Sequence, residues 1–418
     1  MADYEIMAHS GPSEARGTTR PDERQLILGK NNGQEAGGVR KSGNIYKFPS
    51  EAAGEAEISG ETASTCQEPA KYQLPKVGNY EKDLKVLRTL GGGSFGCSAV
   101  LEVVNGSPTG AIGNWYERVS KGQKVIGKRI SMKDPKVYRT FEREVRMLKK
   151  LKGVKNILNL LGEQQPSRED PYGYIFTEIC HLGDVEGLTT QYTERREWVP
   201  EGFLLQLTID ISKALLFLER GANSTKEASR NGHISILHND IKPDNIFMKP
   251  RRQGTPNIYP IFVLGDFGLA CESNEMAIPS CVHFMSPQRA AAAKEGRQEP
   301  VNLLDDIYSF GTTLFVIANF DFPFEESNYP LSMEPHHFNK RVPFNGPYAS
   351  WFKKIVRDAT SREPSRRPSV TNIIHAFVEN TKKYGWGSGG SNTRLWEVSW
   401  LDEKTVKKWD DNKHRKAT

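Results

Sequence analysis

Three things are scarce in this chain of 418 residues. Cysteine is one: five residues, an odd number at irregular spacing, supply no disulfide framework and point to a reducing compartment. Long apolar runs are another. The greasiest stretch, around residues 314–317, falls far short of the roughly 20 residues that cross a bilayer, so no membrane span is expected. The opening Met1-Ala2-Asp3-Tyr4-Glu5 lacks the basic-then-apolar pattern of a secretory leader, and the expected location is intracellular, cytoplasm or nucleus. Charge of one sign is the third. The 57 Lys and Arg against 51 Asp and Glu leave +6, too little over this length to call for a nucleic-acid partner, and none is expected. The cluster Lys249-Pro250-Arg251-Arg252 reads as a solvated turn rather than an import signal.

What is present is a globular body with polar extensions. Hydrophobic residues make up 37% of the chain, enough for a substantial core. Residues 1–78 are rich in Gly, Ser, Glu and Ala without a sustained apolar period, which predicts a disordered extension. Residues 79–382 carry the folded pattern, and 383–418 form a tail in which Trp396 and Trp400 would share one helix face. Strand-like runs occupy 99–104, 125–130 and 175–180, with an Asn/Gly/Ser/Pro-bearing insert at 105–122 that predicts a long hairpin loop. Helical spacing marks 141–151, 203–218, 305–318 and 351–359. A β-rich part followed by an α-rich part predicts an α+β fold in two lobes.

Between two expected strands stands Gly91-Gly92-Gly93-Ser94-Phe95-Gly96. Glycines at the first, third and sixth places let a hairpin backbone approach phosphates without a Cβ in the way. A strand rather than a helix follows, so this is no dinucleotide-binding turn, and no Lys-Ser/Thr follows to make a Walker loop. Farther on come His238-Asn239-Asp240-Ile241-Lys242-Pro243-Asp244-Asn245 and Gly265-Asp266-Phe267-Gly268. With Lys128 on a strand and Glu144 on a helix, five pieces occur in the order of a known signature set, and the chain resembles the eukaryotic-type protein kinases over about residues 80–382.

The resemblance implies a bilobal kinase fold, with a small β-rich N-lobe over 79–178, a hinge at about 178–184 and a larger α-helical C-lobe over 185–382. It implies ATP and Mg²⁺ as cofactors and protein substrates as partners. Lys128 would hold the α- and β-phosphates and pair with Glu144. Asp240 would take or orient the substrate hydroxyl proton, Lys242 would neutralise the moving phosphoryl, and Asn245 and Asp266 would hold the metal. Gly91, Gly93, Ser94, Phe95, Gly96, Ser98, Gly127, Lys128, Thr177, Glu178, Cys180, Asp184 and Phe247 would line the nucleotide site. Leu148, Leu160, His238 and Phe267 would stack into a spine through both lobes. Lys242 two places after Asp240 resembles the Ser/Thr-specific subclass. A nucleotide-binding pseudokinase scaffold and a small-molecule kinase are the competing readings.

Four departures from the family pattern carry expectations. Asn239 replaces an arginine that meets a phosphorylated activation loop, so activity should not depend on phosphorylation of Ser273 or Ser280. Gln288 replaces a glutamate that pairs with the residue matching Arg367, which should weaken a buried anchor. Cys281 replaces a threonine and offers a poorer donor. Ser98 and Gly127 shrink the roof of the adenine pocket, and the large Phe247 beneath would fill the space.

Overall fold

The structure is a computed structural model that describes residues 72–76, 80–93, 96–105, 114–251, 259–276, 280–297, 300, 302–324 and 341–383. The tail after 383, with its tryptophans, and Ser94 and Phe95 of the glycine loop lie outside the described residues. The chain is mixed α+β, with a six-stranded antiparallel sheet in its N-terminal part and helices dominating the rest. After a single turn, α1 (Tyr80–Asp83), come β1 (Leu84–Gly93), β2 (Gly96–Val103), β3 (Asn114–Trp115) and β4 (Lys124–Ser131). Helix α2 (Pro135–Lys150), β5 (Leu160–Gln164) and β6 (Tyr172–Glu178) complete this part.

Helix α2 begins six residues before its apolar period shows. Asp134 caps it by accepting from the Lys136 N–H at 2.7 Å, and Pro135 sits where a missing N–H does no harm. Its first fully buried residue is Phe141, and in the opening turns only the half-buried Val137, four residues earlier, packs against the core.

The strand order is β1-β2-β4-β6-β5-β3. The insert expected to be a long hairpin loop also supplies β3, which lies beside β5 at the far edge, with Trp115 paired to Gly162. Trp115 stacks on Phe176 at 5.0 Å, and Tyr80 stacks on the same ring at 5.7 Å. Tyr72, Leu101 and Val103 join them in a hydrophobic layer over the outer face of the sheet. Tyr72 is buried and the Lys76 N–H donates to Asp170 at 2.8 Å. Residues within 72–76 thus pack on the sheet inside the stretch expected to be disordered, because an aromatic ring inserted on a sheet offsets the cost of ordering a short polar strap.

The rest is built on α4 (Glu201–Arg220), buried along nearly its whole length and ended by Gly221 in the left-handed region at φ 67°. Before it lies α3 (Val185–Arg195), and after it the pair β7 (Ile236–Leu237) and β10 (Cys271–Glu272) and the hairpin β8 (Ile246–Lys249) and β9 (Ile261–Leu264). Helices α5 (Pro287–Lys294), α6 (Leu303–Asn319), α7 (Ser350–Ala359) and α8 (Val370–Lys383) follow. One core runs from Ile130, Phe141 and Leu148 of the sheet part into Phe203, Phe262, Phe310 and Phe352 of the helical part.

Candidate functional site

Lys128 stands on β4 with its ammonium 2.9 Å from Glu144 Oε2 on α2 and 3.6 Å from Asp266 Oδ2. Burial pushes the Glu144 carboxyl up, against the pull of Lys128. At Asp266 burial also raises, but Lys128, the Gly268 N–H and Lys242 outweigh it and hold the carboxyl below its ordinary range. Lys128 is thus shared between two anions.

The loop from His238 to Asn245 is fixed from beneath. Asp306, on α6, accepts the backbone N–H of His238 at 2.6 Å and of Asn239 at 2.8 Å, while burial drives its carboxyl up to about 7. Asn239 occupies the left-handed region at φ 68°, which asparagine tolerates better than most residues. The His238 ring meets the Gly265 carbonyl at 3.0 Å and the edge of Phe267 at 4.6 Å. Leu148, Leu160, His238 and Phe267 are all fully buried.

On this loop Asn245 Nδ2 donates to both the backbone carbonyl and Oδ2 of Asp240, each at 2.8 Å. Lys242 Nζ lies 3.5 Å from the same Oδ2 and 3.3 Å from Asp244. Asp240 Oδ1 is buried with no hydrogen-bond partner among the described residues. Burial raises the Asp240 carboxyl in spite of Lys242. The loop therefore presents a carboxylate oxygen without a side-chain donor beside a cation, and the backbone N–H of Cys281 also acts on this carboxyl.

The donor set suits a hard cation. With its amide hydrogens directed at Asp240, Asn245 leaves its side-chain oxygen free of that bond, and the depressed Asp266 carboxylate would supply a second oxygen. Among the described residues no three His, Cys, Asp or Glu gather into a metal cage. One carboxylate and one amide suit Mg²⁺ that completes its shell with substrate phosphates.

The sheet sorts the remaining expected residues by face. Ser98 opposes Lys128, and Ile126 opposes both Val100 and Thr177, so Ser98, Ile126, Lys128 and Thr177 share one side. Gly127 does not. It opposes Ala99 and Phe176, and a Cβ there would lie 2.8 Å from Leu101 Cδ1 and nearer still to the Tyr72 hydroxyl. Alternation puts Ile126, not Gly127, on the side of Lys128, and the expected shrunken roof is Ser98 with a bulky neighbour. Gly91, Gly93 and Gly96 lie on the β1–β2 hairpin, and a Cβ on Gly96 would collide with the Arg129 backbone.

At the strand end, Glu178 accepts from the Asn159 N–H at 3.2 Å and pairs with Lys249 at 2.9 Å, tying the two lobes. The Cys180 thiol is pushed up to about 12 by burial, then by Glu178, and stays protonated. Asp184 caps α3 by accepting from the Gly187 N–H at 2.8 Å and pairs with Phe247 in an isolated bridge. Phe247 packs against Gly265 directly before Asp266.

The departures acquire partners that spacing did not show. Asn239 donates to the Leu269 carbonyl at 3.3 Å and accepts from the buried Arg289, also at 3.3 Å. Gln288 accepts from Arg367 at 2.6 Å, and Asp305 Oδ1 stands 3.4 Å from the same guanidinium. The anchor expected to be weakened keeps a carboxylate, supplied by α6 instead of α5. Cys281 packs with Phe284, Val316 and Phe322, and burial together with Asp240 holds its thiol up at about 12. Sequence reasoning missed Ile126, Arg289 and Asp305. Strand alternation would have found Ile126, and nothing local marks the other two.

The family described as Protein kinase domain matches residues 85–378. The chain is 25% identical over 305 residues to a protein named probable serine/threonine-protein kinase nek2 of Dictyostelium discoideum, covering 70% of this chain and 62% of that one. Serine/threonine-protein kinase Nek2 of Homo sapiens is 26% identical over 305 residues, covering 70% of this chain and 59% of its own. G2-specific protein kinase nimA of Emericella nidulans is 23% identical over 223 residues, covering 49% and 30%. This chain spans about three fifths of the length of the first two relatives.

Proposed function

The chain belongs to the protein kinase family, and from that premise we propose that it transfers the γ-phosphoryl of ATP to Ser and Thr hydroxyls of protein substrates. The observation that carries this reading is Asp240: its Oδ2 is held by Asn245 and Lys242, and its buried Oδ1 has no partner among the described residues. A substrate hydroxyl placed there would donate to Oδ1, and burial makes that oxygen the more basic acceptor. Lys242 would meet the negative charge that moves between donor and acceptor, and Lys128 would orient the nucleotide phosphates while Glu144 fixes its direction.

Mg²⁺, when bound with ATP, would neutralise the phosphate oxygens. Asn245 and Asp266 are the residues to hold it. Ser98, Ile126 and Thr177 would border the adenine from the sheet side and Phe247 from below, with Gly91, Gly93 and Gly96 allowing close approach to phosphates. The catalytic unit would run from residue 72 to about 382, with the stretch before it and the tail serving as extensions. The Ser/Thr direction is supported by Lys242 and by the names of the first two relatives.

The test is a thermal shift with ATP, with and without Mg²⁺, followed by a peptide-library phosphorylation assay of wild type and Asp240→Asn. The expected result is Mg²⁺-dependent ATP binding in both proteins and a turnover loss of about 10²–10⁴-fold in the variant. Wild-type ATP binding without product on any peptide would replace this reading with a nucleotide-binding scaffold.

A further inference from the structure

Helix α2 carries Glu144, so its position decides whether Lys128 is presented to phosphates. Three contacts fasten α2 to the segment after Asp266. Arg143 donates to the Gly268 carbonyl at 3.2 Å, Arg146 pairs with Glu275 at 2.8 Å, and Lys150 pairs with Glu272. Residues 143, 146 and 150 recur at helical spacing, so one face of α2 meets one turn of the segment.

Those carboxylates are firmly mounted. Glu272 is nearly buried on β10, opposite Ile236 on β7, and β7 leads directly into His238 and Asp240. Glu275 accepts the Glu272 N–H at 2.9 Å, which closes the turn. The ladder that holds the catalytic loop therefore also holds the acids that grip α2. A second buried carboxylate secures the other side of the helix. Glu163 accepts from Lys149 at 2.6 Å and from Tyr116 of the insert at 2.7 Å.

A phosphorylated activation segment acts by placing negative charge opposite cations, which orders the segment and docks it. Here the negative charge is already in the sequence. The position from which the catalytic loop would answer a phosphate is Asn239, a neutral amide engaged with Leu269 and Arg289. Between Asp266 and Cys281 the only hydroxyl side chains are Ser273 and Ser280.

We infer that Glu272 and Glu275 are positioning residues that hold α2 and the Lys128–Glu144 pair in the transfer-competent place, so that the chain is active while its activation segment is unphosphorylated. This rests on the kinase reading above. Each ion pair alone is partly exposed and weak, and the effect comes from three contacts acting on one rigid helix.

The test uses the full chain treated with phosphatase and verified by mass, in five forms: wild type, Ser273→Ala/Ser280→Ala, Glu272→Gln/Glu275→Gln, Arg146→Glu alone, and the charge swap Arg146→Glu/Glu275→Arg. Two readouts are taken: initial phosphorylation rates and amide hydrogen exchange over residues 135–150. Wild type should start without a lag, and the serine variant should match its kcat within about twofold. The glutamine variant should lose about tenfold in kcat, exchange faster in α2, and keep its Tm within about 3 °C. The swap should recover part of what Arg146→Glu loses. A lag removed by preincubation with ATP, an inactive serine variant, or a glutamine variant with wild-type rates and exchange would overturn the inference. If no form makes product, the kinase reading fails, and the exchange comparison alone still decides whether the two glutamates hold α2.

Discussion

Gly127→Ala separates two pictures of the same residue. If Gly127 borders the nucleotide, adding a methyl group alters ATP affinity and little else. The register of β4 says otherwise: the new Cβ would point to the outer face, 2.8 Å from Leu101 Cδ1 and 3.0 Å from Tyr72 Cζ, with the Tyr72 hydroxyl nearer than either. Neither neighbour can withdraw easily, since Leu101 is fully buried and Tyr72 is only 6% exposed. Overpacking of a closed site costs about 1–3 kcal/mol, which lowers Tm by about 2–4 °C per kcal/mol in a domain of this size. The ATP dissociation constant should stay within about twofold, because Lys128, Ser98 and Ile126 lie across the sheet. Tyr72→Phe should be near neutral, because the hydroxyl is buried without a hydrogen-bond partner among the described residues. In a Tyr72→Ala background the same Gly127→Ala change should cost about 1–2 kcal/mol less, a coupling that chemical denaturation of the four proteins would measure. Weakened ATP binding at unchanged stability would refute the reasoning.

The other face makes its own prediction: Ile126→Ala should weaken ATP binding about tenfold by isothermal titration, whereas Ser98→Val should tighten it. Asp305→Asn should cost about 2–4 kcal/mol in urea unfolding, since it strips the charge beside buried Arg367. Adding Gln288→Glu should return about half of that loss, because the new carboxylate would sit where Arg367 already donates. His238 supplies a pH dependence. Burial lowers its pKa from 6.5 to about 4, so between those values the unfolded chain binds a proton that the folded chain refuses. Stability from this residue is complete above pH 6.5 and is lost as pH falls toward 4, by about 3 kcal/mol in all. His238→Gln should flatten that part of the curve in melts from pH 4 to 7.

The residues proposed to act on a shared ligand are the ones whose chemistry fixes both type and spacing. Asp240, Lys242 and Asn245 lie on one short loop, and a loop that must aim a carboxylate, an ammonium and an amide at one point leaves a local signature. Glu144 could be told from Glu142 because helical spacing sends residues two apart to different faces. Gly127 was misread where the same kind of rule, period two on a strand, was not applied. Asp305 and Arg289 were invisible for another reason. Each meets its partner across tens of residues, Asp305 with Arg367 and Arg289 with Asn239, and no local pattern records which distant guanidinium a buried acid will face.

The same limit explains the outer face of the sheet, and there composition misleads. The insert at 105–122 reads as a loop from its Gly, Ser, Pro and Asn, and the segment before residue 79 reads as disorder. Yet Trp115 from one and Tyr72 from the other join Tyr80 and Phe176 in a single layer. A few aromatic rings suffice, because each buries about 150–250 Å² while ordering only two side-chain torsions. The insert then continues to Tyr116, which reaches Glu163 and through it Lys149 on α2. A segment that looks like a spacer thus connects the cover of the sheet to the helix that aims Lys128. Its aromatic residues, rather than its turn formers, are where substitutions should reach the site.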